Sequence, residues 1–71
     1  MTIHPTWLSA MEADNTLIGK IADKTNKSVQ TSKRWVVLNL DKLQQIEVLN
    51  VIVEHYELEG VNELENDKNA A

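Results

Sequence analysis

Pro5 is the only proline in this chain, and Gly19 and Gly60 are its only glycines. Strand-to-strand turns depend on residues that accept unusual backbone angles. Three such residues argue against a turn-rich β fold. At 71 residues it forms one domain at most. A chain of this size buries only about 60% of its unfolded surface. One core must therefore supply nearly all of a margin of a few kcal/mol. With no cysteine there is no disulfide framework and no cysteine-ligated zinc site to help.

The apolar spacing fits this reading. In "HPTWLSAMEADN" Pro5 suits a first helical turn, and Trp7, Ala10 and Met11 share a face over two to three turns. In "NTLIGKIADKTN" Asn15 or Thr16 can cap a second helix, with Ile18, Ile21, Ala22 and Thr25 inward and Asn26 ending it. Gly19 inside that helix either permits a close helix contact or is simply tolerated, at a cost of about 1 kcal/mol relative to alanine. In "SVQTSKRWVV" Ser28 caps a third helix whose inner stripe is Val29, Ser32 and Val36 with Trp35 beside it; "RWVVLNL" also has the composition of a strand. "LDKLQQIEVLN" is the clearest helix, with Asp41 and Gln44 placed as a capping box and Leu43, Ile46 and Leu49 repeating. "VIVEHYELEG" can continue that helix, begin another or form an edge strand, with Gly60 as the stop. The expected architecture is all-α: a small bundle of four to five short helices in a single domain over 1–60, then a flexible acidic tail over 61–71.

Charge is segregated along the chain. The net of −4 hides a segment, 20–34, in which Lys20, Lys24, Lys27, Lys33 and Arg34 face only Asp23, a net of +4. Residues 41–67 carry eight carboxylates against Lys42, a net of −7. A local basic patch on an acidic protein can still hold phosphate, because charges are screened beyond about 8 Å at physiological salt.

Two segments together resemble a family. "IADKTNKSVQT", followed by Arg34 and Trp35, is similar to the helix-turn-helix of the phage-repressor-like (Cro-like, or xenobiotic-response-element-type) DNA-binding domains, in a shortened and divergent form. "NLDKLQQIEVLNV" resembles the stretch that follows it there. The resemblance covers roughly the middle of the chain and implies a helix-turn-helix at about 16–36, with 28–36 as recognition helix in the major groove. It assigns Ala22 to the helix crossing, Asn26 to the turn and Ser28 to the recognition-helix cap. It turns Gln30 and Thr31 toward base edges, Lys27, Lys33 and Arg34 toward phosphates, and packs Trp35 on the core. The chain departs from the pattern at Ser32, where the family has an apolar residue, and at "VVLNL", where it has a longer loop. It departs again within "QQIEVLN", which lacks a small residue, and at Ile52, which replaces a polar cap.

The implied function is sequence-specific binding of double-stranded DNA by a transcriptional regulator of repressor type, acting as a homodimer on two half-sites. The apolar surplus of "IEVLNVIV" points separately to a covered second face, hence to a homodimer or a protein partner. The contrasting expectation is a small acidic interaction protein, such as a phage-type inhibitor of a host protein, whose acidic C-terminal half meets a basic partner. Trp7 is read as core or dimer packing. An enzyme is not expected: there is no glycine-rich phosphate loop, nucleophile elbow or paired-acid cleft. No cofactor or metal is expected either, since in "HYELE" only Glu59 stands at helical spacing from His55. With no apolar run near the ~20 residues of a membrane span and no basic start leading into an apolar stretch, the expectation is a soluble, cytoplasmic protein.

Overall fold

The computed structural model describes residues 2–69, and all regular structure among them is helical. Four α-helices, α1 (Pro5–Glu12), α2 (Asn15–Thr25), α3 (Val29–Val37) and α4 (Ile46–His55), form a small bundle with 3₁₀ turns at Asp41–Gln44 and Val61–Glu65. α2 packs against both α3 and α4, and α1 packs against α2 and α3. The strand alternatives fall away: residues up to Val37 finish α3, and those up to His55 finish α4.

The helix starts are set by side chains. His4 caps α1, its Nδ1 accepting from the Thr6 N–H at 3.2 Å, and Pro5 occupies the first turn. α2 is capped not by Asn15 or Thr16 but by Asp14, whose Oδ1 accepts from the Leu17 N–H at 3.1 Å. That register sends Leu17, Ile18, Ile21 and Ala22 inward together. A methyl group at Gly19 would meet nothing within 4 Å, so the glycine does not serve close helix contact.

Three helices stop in the same way, without glycine. Asn26 (φ 56°), Asn39 (φ 49°) and Glu57 (φ 55°) each adopt the left-handed conformation. After each, the next N–H reaches back five residues: Lys27 to the Ala22 carbonyl, Leu40 to Trp35 and Leu58 to Val53. This is the Schellman closure, which satisfies carbonyls that the helix end leaves open. Asparagine tolerates the conformation; glutamate holds it at a cost of about 1–2 kcal/mol. Glu57, not Gly60, therefore ends α4.

The segment expected to be the clearest helix is broken. Asp41–Gln44 is a 3₁₀ turn, Asp41 makes no cap, and Gln45 is extended before α4 begins at Ile46. The break lets Leu43 enter the core ahead of Val48, Leu49 and Ile52. The apolar surplus of this region is also largely absorbed within the chain. Val51 and Val53 pack against the same cluster, and only Ile46, 61% exposed, is left outside.

The boundary expected at residue 60 does not hold for Val61–Glu65. Leu64 is fully buried in the core. Its carbonyl accepts from the His4 N–H at 2.7 Å, and the Glu63 carbonyl accepts from the Trp7 indole at 3.2 Å. The Lys68 N–H donates to Thr6 Oγ1 at 2.8 Å, and its ammonium stands 5.6 Å from the Trp7 ring centroid. A short polar segment with two apolar residues carries little helical periodicity, yet one well-placed leucine is enough to dock it. Leu64→Ala should cost about 2–5 kcal/mol, read as a lowered urea midpoint. An unchanged midpoint would show that this segment adds nothing to the core.

Candidate nucleic-acid interface

α2 and α3 are joined through 26–28, with Asn26 left-handed and Ser28 extended (φ −73°, ψ 159°). Ser28 Oγ accepts from the Thr31 N–H at 3.1 Å and donates to Thr31 Oγ1 at 2.9 Å. The cap starts α3 in the register that buries Ser32, Trp35 and Val36. Ser32, at the position where an apolar residue was expected, is fully buried with its hydroxyl donating to the Ser28 carbonyl at 3.1 Å. A small hydroxyl that bonds its own helix can stand in for an apolar group.

The rest of α3 is open to solvent. Gln30, Lys33 and Arg34 are exposed, as is Lys27 in the turn. On a helix, residues four apart line up. Gln30 and Arg34 form one row, and Val29, Lys33 and Val37 form the row beside it. The expectation that Val29 lies in the inner stripe is wrong: it is 54% exposed. Val29 is the first residue of α3, and only Ser32, Trp35 and Val36, further along the helix, are buried. Thr31 is half-buried with its oxygen accepting from Ser28, so it is less available than Gln30. Among the described residues no carboxylate lies within salt-bridge distance of Lys27, Lys33 or Arg34.

A second polar cluster lies between α2 and α4. His55 Nε2 donates to Asp14 Oδ2 at 2.8 Å, and Lys20 Nζ donates to His55 Nδ1 at 3.0 Å. The Tyr56 hydroxyl donates to the same Asp14 oxygen at 3.1 Å. Both ring nitrogens of His55 are thus engaged. Burial alone would push the Asp14 carboxyl up, but the bonds from Leu17, His55 and Tyr56 outweigh it and hold the carboxyl below its ordinary value. The Tyr56 hydroxyl is raised, by burial first and then by the carboxylate it donates to. Beside this cluster an open groove is lined by Lys20, Asp23, Lys24, Val51, Glu54 and His55. Its two lysines face two carboxylates, so it offers no strong field of either sign.

Comparison with protein-family models, curated proteins and solved structures returns no match. The functional reading therefore rests on the geometry of the chain itself.

The lowered Asp14 carboxyl sets a pH dependence. Its contribution is present above the ordinary carboxylate value of 3.8 and is lost as pH falls through the lower folded-state value. Asp14→Asn keeps an oxygen for the cap but loses the charge that His55 and Tyr56 donate to. At pH 7 it should cost about 2 kcal/mol. The gap between variant and parent should close on acidification, as followed by urea denaturation from pH 7 to pH 2. A gap independent of pH would remove the carboxylate from the account.

Proposed function

We propose that this chain is a sequence-specific DNA-binding regulator of repressor type, with α3 lying in the major groove of duplex DNA. One observation carries the reading: Gln30 stands on an open helix face among Lys27, Lys33 and Arg34, three cations with no carboxylate partner among the described residues. In the groove the Gln30 amide offers a donor and an acceptor to the N6/N7 edge of adenine. The three cations position the helix through phosphates. The free N–H groups at the start of α3 add to the attraction for phosphate. α2 supports α3 from behind and crosses the phosphate backbone, as the first helix of such a motif does.

A single nine-residue helix reads few base pairs. Two copies would place two such helices about one turn of DNA apart. The exposed Leu38, Leu40 and Ile46, at the connection from α3 to α4, are apolar side chains available for that pairing. The acidic residues of the second half keep non-specific affinity low, since Glu47, Glu54, Glu57, Glu59, Glu65 and Asp67 are all exposed.

The test is selection of duplexes from a randomised pool, followed by titration at several salt concentrations. Binding should weaken with salt, by a slope of about −0.9 in log–log form for each phosphate contact. Lys33→Ala and Arg34→Ala should each flatten that slope by about one. Gln30→Ala should relax the preference at one base pair at a cost of about 1–3 kcal/mol. A chain that enriches no duplex even at low salt is not a DNA reader. The exposed acidic face, suited to a basic protein, then becomes the candidate contact surface.

A further inference from the structure

Val29 has no task inside the molecule. It is the first residue of α3, 54% exposed, and absent from the core cluster. It makes no cap, since Ser28 does that. It lies next to Gln30 and one turn before Lys33 on the face flanked by unpartnered cations. An exposed valine at the start of a helix that also carries exposed cations has one complementary feature in duplex DNA. The major-groove edge of thymine presents a C5-methyl group, which the other three bases lack.

We infer that Val29 packs on the C5-methyl of a thymine beside the adenine edge read by Gln30, so the two residues together select an A/T-containing step. Consecutive helical residues differ by 1.5 Å in rise and 100° in direction. Their side chains therefore reach neighbouring but distinct base edges. The charge beside Val29 names the partner: an exposed apolar side chain with Lys33 one turn on and Lys27 two residues before it fits a polyanion that also carries a methyl group. Thr31, the other small side chain of this turn, is half-buried and bonded to Ser28, which leaves the methyl contact to Val29.

The inference rests on α3 being the DNA-reading helix, and the experiment separates the two. The selected duplex is remade with each thymine in turn replaced by uracil, which removes one methyl group and no hydrogen-bonding atom. One position should weaken binding about three- to fivefold, the equivalent of one buried methyl. In Val29→Ala, an exposed substitution that favours helix, the same replacement should have little effect. Circular dichroism of the variant checks that α3 is intact. If no duplex is enriched at all, the DNA reading fails and this inference with it. If duplex is bound but no uracil position matters, or the same position matters equally in Val29→Ala, only the thymine contact is overturned.

Discussion

α3 is buried along one line only. Ser32, Trp35 and Val36 hold it to the bundle, and no other described element covers its other side. The pressure on a small domain to bury apolar surface makes the composition of the uncovered side informative. That side carries a glutamine, two basic residues and two valines, and its cations lack partners among the described residues. A face kept only for solubility is better served by mixed charge, which also pairs along the helix. The asymmetry of α3, more than its sequence resemblance, is what supports the proposal that this face meets a polyanion.

The frame that presents this face is held from the far end. Asp14 caps α2 and accepts from His55 and Tyr56 at the end of α4. The Tyr56 ring lies 5.2 Å from that of Trp7, whose indole in turn holds the Glu63 carbonyl. One carboxylate and two aromatic rings thus tie α1, the end of α4 and the Val61–Glu65 turn to the start of α2. Truncating one member leaves other polar groups half-buried without partners, which costs more than the single bond removed.

Much of the fold was legible in the sequence. Pro5, Asn26 and Ser28 are residues whose chemistry acts locally, and each does what its chemistry suggests. The errors share a cause. The extended break at Gln45, the left-handed Glu57 and the docking of Leu64 are imposed by the core, and nothing in the residues nearby announces them. Glutamate is a poor signal for a helix end, and an Asp-x-x-Gln spacing before apolar residues fits a 3₁₀ turn as well as a helix. At the candidate site, the exposure of Gln30, Lys33 and Arg34 followed from helical spacing. Val29 was misplaced because helical spacing aligns it with Ser32 and Val36, whereas its place in the first turn leaves it outside the core that buries them.

The docking of Val61–Glu65 onto α1 also bears on how the protein is made. Trp7 and its acceptor are 56 residues apart, and Thr6 and the Lys68 amide are 62 apart. As the chain leaves the ribosome, α1, α2 and α3 can associate early, but the Trp7 indole has no acceptor at Glu63 until the segment around Leu64 has emerged. Completion of the core therefore waits on a segment made more than fifty residues after the tryptophan it holds.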